Sequence, residues 1–95
     1  MRLLWSRQAE DDAASIVEFI ARDKPGAAIE IGDAIEEHAR RLRDFPKSGR
    51  RGRVKGTREL VVAGSPFILV YRILGDTIGI VRVLHGAQQW PPPKR

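Results

Sequence analysis

The chain of 95 residues contains no cysteine, which excludes disulfide bonds, thiolate catalysis and cysteine-ligated metal sites. Its two histidines do not join acidic residues at the spacing of metal ligands, so we expect neither a metal nor another cofactor. No apolar stretch approaches the roughly 18 residues that a membrane span needs, and acids interrupt the apolar start where a signal peptide would continue. These absences favour a cytoplasmic protein without a membrane segment.

The residues that are present are typical of one small folded domain. The chain is 42% hydrophobic and 31% charged, without the shortage of large apolar residues that marks disorder. A domain of this size buries roughly 60–65% of the surface that its unfolded chain exposes. We expect a single domain over residues 1–95, in which residues 86–95 form a C-terminal tail because the proline run 91–93 cannot extend a sheet.

Helical signals occupy the first half of the chain. Ser6 is placed to cap a helix that ends near Asp23, and apolar residues follow at helical spacing. Pro25 suits the first position of a second helix, which runs toward Pro46. The short connection between them predicts an antiparallel helical hairpin.

The second half carries strand signals. The stretches "RELVVA", "FILVYRIL" and "IGIVRVLH" are separated by the turn sequences "GSP" and "GDT", which predicts three strands in an antiparallel meander. The opening "RLLW" resembles a short edge strand. The predicted fold is therefore α+β, in the order β-α-α-β-β-β, with the helical hairpin packed on an antiparallel sheet.

Positive charge is concentrated in one segment, which we call the basic loop, residues 47–58. It carries six cations and no acid until Glu59: Lys47, Arg50, Arg51, Arg53, Lys55 and Arg58. The whole chain has a net charge of +5, so the remaining residues sum to 5 − 6 = −1. Such a local patch points to phosphates or an acidic partner surface, although plain solvation is an alternative.

Three segments in this order resemble the RelE/ParE superfamily of bacterial toxins from type II toxin–antitoxin systems. The first, "WSRQAEDDAASIVEFIARDKPGAA", is similar to the opening helix and turn of the family. The second, "FPKSGRRGRVKGTREL", is similar to its glycine-arginine loop, and the third, "ILVYRILGDTIGIVRVLHGAQQWP", to its hairpin and closing strand. The resemblance spans nearly the whole chain and implies the RelE/ParE toxin fold.

The resemblance implies one of two activities. RelE-like members are ribosome-dependent ribonucleases, whereas ParE-like members poison DNA gyrase, so the fold alone leaves the target open. RelE-like nucleases carry an arginine three residues before the tyrosine of a motif resembling "LVY", and Ile68 occupies that position before Tyr71. Because a neutral side chain cannot stabilise charge growing on a phosphate, the resemblance implies a ParE-like toxin that traps the cleaved complex of gyrase and DNA.

In the ParE-like interpretation no residue is catalytic, and contacts with the target are predicted at six positions: Arg50, Arg51, Arg53, Lys55, Arg58 and Trp90. Two alternatives stay open. A ribosome-dependent mRNA endonuclease would act on the ribosome with Arg58, Arg82 and His85 as its catalytic groups. A non-toxic nucleic-acid-binding module would use the basic loop alone.

Several of these residues have structural interpretations as well. Arg82 alternates with Ile80 and Leu84 and so lies on an apolar face, where its charge needs a partner. His85 shares strand parity with Val81 and Val83, which favours packing at the rim of an apolar face over catalysis.

Trp90 is expected to pin the tail against the domain, and His38 is expected to be a helix-surface residue without a role. The strands are apolar on both faces, so we expect one face to pack on the helical hairpin and the other to be only partly exposed. This is more apolar surface than two helices can cover. We therefore expect a cognate ParD-like antitoxin to lay an amphipathic segment in the remaining groove and form a hetero-oligomer.

Overall fold

The structure, a computed structural model, describes residues 1–93 and contains the predicted elements in the predicted order. Their bounds in chain order are β1 Arg2–Trp5, α1 Arg7–Ala21, α2 Pro25–Arg41, β2 Arg50–Arg51, β3 Arg58–Val61, β4 Phe67–Leu74 and β5 Thr77–His85. The short strand β2, inside the basic loop, is an addition to the prediction. Along the described part of the chain, no helix is long and apolar enough to cross a membrane.

Both helix starts follow from local chemistry. The Ser6 hydroxyl accepts a hydrogen bond from the Ala9 backbone N–H at 3.0 Å, which caps α1 as predicted. Pro25 occupies the first turn of α2, where its missing N–H costs nothing. The buried side of α2 carries Ala28, Ile35 and Ala39, so the apolar spacing of the sequence places the helix against the sheet.

The five strands form one sheet in the order β1-β5-β4-β3-β2. β3, β4 and β5 are the predicted antiparallel meander, and β2 extends it antiparallel to β3. β1 pairs with β5 in parallel, with Arg2 opposite Thr77 and Trp5 opposite Ile80, so the prediction of a wholly antiparallel sheet was wrong at this edge. No hairpin links β1 to β5, because two helices and three strands lie between them along the chain, and this long connection allows parallel pairing.

A β-bulge in β5 decides which residues share a face. Val70 pairs with Arg82 and Tyr71 with Ile80, so Val81 is the extra residue and the alternation shifts there. Arg82 therefore does not share a face with Ile80, contrary to the simple alternation read from the sequence. We call the two sides the helix face, which carries Tyr71 and Ile80, and the outer face, which carries Val70 and Arg82.

Both faces are buried at their centre. On the helix face, Leu69, Tyr71 and Val83 join the main core with residues of α1 and α2. On the outer face, the side chains of Val70 and Leu84 are also fully buried. The prediction that the second face is only partly exposed is confirmed.

Candidate functional site in the basic loop and the outer face

Pairing of β2 with β3 divides the cations of the basic loop between the two faces of the sheet. Arg50 lies opposite Glu59, and Arg51 lies opposite Arg58. Because neighbouring strand residues point to opposite faces, Arg50 and Glu59 lie on one side and Arg51 and Arg58 on the other. Glu59 pairs with Val70 on β4, which places the first pair on the outer face.

Glu59 holds the outer-face part of the loop. Its side chain is 1% exposed and accepts hydrogen bonds from the Arg53 backbone N–H at 2.8 Å and from the Arg53 guanidinium at 3.1–3.3 Å. The Arg50 guanidinium lies 3.5 Å from the same carboxylate. Burial alone would raise the pKa of Glu59, but the bonds from Arg53 and the charge of Arg50 hold that pKa below its ordinary value of 4.5.

Glu59 is expected to make stability depend on acid pH. Its pKa is lower in the folded state, so its contribution to the free energy of unfolding is present above pH 4.5 and is lost as the pH falls through the lowered pKa. Glu59→Gln should therefore be less stable at neutral pH and should lose less stability between about pH 5 and pH 3. Urea unfolding at a series of pH values measures this, with the exposed Glu18→Gln as the control. Identical acid dependence of Glu59→Gln and the wild type would contradict the assignment.

Arg58 lies on the helix face and anchors the start of the basic loop. Its guanidinium donates to the Gly49 carbonyl at 2.7 Å and approaches the Lys47 carbonyl at 3.4 Å. Beside it, the Tyr71 hydroxyl donates to the Pro46 carbonyl at 2.7 Å and accepts from the Gly49 N–H at 3.0 Å. Burial raises the pKa of Tyr71, which keeps its hydroxyl in the neutral form that donates. These contacts fix the loop from the side of the core.

Arg82 forms an ion pair with Asp12, the charged partner that a cation on an apolar face requires. Asp12 of α1 accepts from the Arg82 guanidinium at 2.7 and 3.1 Å and also from the Val83 backbone N–H at 2.9 Å. The hydrogen bond to Asp12 raises the pKa of Arg82. The Trp90 ring lies 5.5 Å from the guanidinium carbon, a cation–π distance, so the prediction that Trp90 pins the tail is confirmed. Of the predicted tail, residues 94–95 lie outside the described residues.

His85 sits at the end of β5, at the rim of the helix face. Its ring contacts Phe67 edge to face, with centroids 5.7 Å apart, and its Nδ1 accepts from the Ala87 backbone N–H at 3.0 Å. These contacts agree with the structural interpretation, in which His85 packs at the rim of an apolar face. The ring is exposed, and its neighbours are an aromatic side chain and the tail backbone.

The three residues of the nuclease alternative do not converge. His85 pairs with Phe67 and Arg58 with Tyr71 on opposite sides of β4, which separates them by about 13 Å along the strand and about 10 Å across it. Arg82 lies on the outer face, behind the sheet from the other two. One phosphate cannot contact all three groups in this arrangement.

His38 has a role that the sequence analysis missed. Its Nε2 accepts from the Ala63 backbone N–H at 3.2 Å, so its Nδ1 carries the hydrogen and donates to the Ala34 carbonyl at 2.7 Å. The ring thereby joins α2 to the turn between β3 and β4. The spacing of four residues from Ala34 was the available signal, but the contact with Ala63 depends on tertiary packing. The prediction of a surface residue without a role was wrong.

Residues 1–93 bring together no group of three histidine or acidic side chains that could hold a metal ion. The chemical groups that the loop presents to solvent are its exposed cations. Their chemistry is recognition of negative charge.

Comparison with known proteins matches nearly the whole chain to toxins of type II toxin–antitoxin systems. Residues 3–90 match the family model described as the ParE toxin of the type II toxin–antitoxin system parDE. The chain is 41% identical over 90 residues to Y4kP of Sinorhizobium fredii, named as a candidate toxin, and the alignment covers 95% of this chain and 93% of that protein. It is 30% identical over 91 residues to Toxin RelE1 of Caulobacter vibrioides, covering 92% of this chain and 95% of that protein.

A solved structure described as the chromosomal ParDE system of P. aeruginosa contains a similar chain. The two superpose with a TM-score of 0.82 at 28% identity, covering 90% of this chain and 95% of the other. That similarity supports the α+β architecture described above, including the helical hairpin and the mixed sheet. On the family match over nearly its whole length, the chain belongs to the ParE toxin family of type II toxin–antitoxin systems.

Proposed function

We propose that this protein inhibits DNA gyrase by trapping the cleaved gyrase–DNA complex, and that a cognate ParD-like antitoxin neutralises it. The observation that carries the proposal is the separation of the groups that an mRNA endonuclease would need. Arg58 donates to backbone carbonyls, Arg82 is bound by Asp12, and His85 contacts Phe67 at the rim. A site for cleaving RNA needs such groups around one phosphate.

Ile68 supports the same choice. The resemblance to RelE-like nucleases would place an arginine at this position, and the isoleucine there is 8% exposed on β4, paired with Val61 and Leu84. The buried apolar side chain offers no charge to a phosphate. The similarity to a chain of a ParDE system also favours gyrase as the target.

The proposed contact surface combines the basic loop with the tail, through Arg50, Arg51, Arg53, Lys55, Arg58 and Trp90. Most of these loop cations are exposed, and Glu59 and the Gly49 carbonyl hold the loop in one shape. A fixed cationic surface favours an acidic protein surface or the phosphates of DNA, both of which the gyrase–DNA complex offers.

The test compares the two toxin targets with one preparation. Purified protein should inhibit supercoiling by gyrase and increase the amount of cleaved DNA, and it should leave mRNA uncut on programmed ribosomes. His85→Ala should keep inhibition of gyrase within a few-fold of the wild type, since the ring has only rim contacts. Robust cutting of mRNA with unaffected gyrase would overturn the proposal in favour of the endonuclease, and DNA binding with neither activity would favour the non-toxic binding module.

The antitoxin is proposed to bind the helical hairpin. The sequence analysis placed the groove on the strands, but Val70 and Leu84 at the centre of the outer face are already buried. A groove of about 690 Å³ lies instead between α1 and α2. Apolar residues line it, among them Trp5, Val17 and Ile29, and Ile29 is 67% exposed.

Acids surround this groove. The lining includes four carboxylates, Glu10, Glu18, Asp33 and Glu36, and no cation. An amphipathic antitoxin helix with an apolar stripe and flanking lysines or arginines complements such a surface.

Ile29→Glu should weaken binding of the cognate antitoxin by about 30-fold or more, because the new charge would be buried in the apolar groove. Ala27→Glu is the matched control, since it adds the same charge to an exposed position of α2 that does not line the groove. Isothermal titration calorimetry measures both affinities. Equal affinities for the two variants would place the antitoxin elsewhere.

A further inference from the structure

A second pocket lies at the turn of the basic loop, on the side of β2 and β3 away from Glu59. Its volume is about 340 Å³. We call it the loop pocket, and its lining residues are Arg51, Gly52, Lys55, Gly56, Thr57, Arg58 and Ile73. Arg58 pairs with Tyr71, and Ile73 is two residues farther along β4, so the pocket opens on the helix face.

The lining of the loop pocket is positively charged and has no acid. Arg51, Lys55 and Arg58 form no ion pair within residues 1–93, whereas Arg50 and Arg53 are bound by Glu59 on the outer face. Glu59 thus neutralises part of the basic loop and leaves the three cations that line the loop pocket without an acidic partner.

Two of these cations are paired residues on neighbouring strands. Arg51 and Arg58 are partners across β2 and β3, and like charges at such positions are destabilising. An anion bound between them removes this repulsion and accepts hydrogen bonds from Arg51 and from the guanidinium N–H groups of Arg58 that do not donate to the Gly49 carbonyl. The arrangement is therefore favourable when an anion occupies the pocket.

The loop around the pocket has a fixed shape. The Gly52 N–H donates to the Thr57 carbonyl at 2.8 Å, and the Thr57 hydroxyl donates to the Val54 carbonyl at 2.6 Å. Gly56 has a φ of +84°, which favours glycine, and a Cβ on Gly52 would meet the Thr57 hydroxyl. A fixed loop loses little conformational entropy when a ligand binds.

We propose that the loop pocket binds a phosphodiester group of the DNA backbone. The planar guanidinium of arginine presents parallel N–H groups, and two oxygens of one phosphate can accept them together. The pocket is larger than one phosphate, and the apolar side chain of Ile73 forms a wall against which a deoxyribose can pack. Lysine and arginine contacts to the backbone give affinity without sequence readout. The proposal rests on the proposed function in that the DNA is that of the gyrase complex.

The experiment measures binding of the purified protein to a duplex DNA of 20 base pairs by fluorescence anisotropy over a series of salt concentrations, without gyrase. The pocket variant is the double substitution Arg51→Gln with Lys55→Gln. The control is Arg7→Gln with Arg22→Gln, which removes the same charge from exposed positions at the two ends of α1. Thermal unfolding of both variants checks that each is folded.

The pocket variant should bind DNA at least about 10-fold more weakly than the control, and its logarithmic salt slope should be smaller by about 0.9 for each lost phosphate contact. An RNA duplex of equal length and inorganic phosphate are parallel probes: tighter binding of DNA than of either supports the proposal. Equal affinities and slopes of pocket variant and control would overturn it, as would preference for RNA or binding of inorganic phosphate alone. Because gyrase is absent, loss of this binding and failure to inhibit gyrase are separate results.

Discussion

Gly49→Ala should lower the free energy of unfolding by about 2–4 kcal/mol, which combines an overpacked core with a broken buried hydrogen bond. A Cβ at this position would lie 2.7 Å from the Tyr71 hydroxyl and 2.9 Å from the Glu59 carbonyl oxygen. Neither atom can move cheaply, because Tyr71 is fully buried and the Glu59 carbonyl belongs to β3. In a domain of this size the loss corresponds to a fall in melting temperature of about 10 °C or more.

Gly26→Ala is the matched control for this substitution. Gly26 is an exposed residue of α2 with no atom within 4 Å of the position of an added Cβ, and alanine favours helix. This variant should be as stable as the wild type or more stable by up to about 1 kcal/mol. Circular dichroism during heating measures both variants. If Gly49→Ala and Gly26→Ala have the same melting temperature, the contact of the loop with Tyr71 does not stabilise the fold.

Asp12→Ala is expected to have the second large effect, a loss of about 2–4 kcal/mol in the free energy of unfolding. The carboxylate accepts three hydrogen bonds, two from Arg82 and one from the Val83 N–H, and both members of the ion pair are 18% exposed. Its removal leaves a partly buried cation and a backbone donor without their acceptor. The cost of such orphaned groups exceeds the net contribution of the pair itself.

A double-mutant cycle separates these two contributions. Asp12→Ala combined with Arg82→Ala should cost less than the sum of the single substitutions, because the double variant leaves no charge behind. Glu37→Ala, which removes an exposed partner of Arg40, should leave the free energy of unfolding nearly unchanged. Urea unfolding of the wild type, the two single variants, the double variant and Glu37→Ala measures these differences. Additive effects of the two substitutions would show that the pair is not coupled.

Local sequence determined most of the secondary structure. The cap at Ser6, the proline at position 25 and the two turn sequences each depend on neighbouring residues, and each was predicted correctly. Strand β2 has two arginines and no apolar alternation, so its pairing with β3 alone defines it. The strand that pairs with β1 lies about 75 residues later in the chain, so no local pattern predicts the parallel pairing.

The amino-acid sequence alone was enough to predict a small α+β domain of the RelE/ParE type with six cations in one loop. The partners of those charges depend on the folded chain, because strand register sets which side chains share a face. In the observed register, Arg50 lies opposite Glu59 and Arg51 lies opposite Arg58. The bulge at Val81 places Arg82 on the outer face. Asp12, 70 residues before Arg82, reaches that arginine only when α1 packs beside β5. Such contacts depend on the packed chain, since residues distant in sequence meet only after folding.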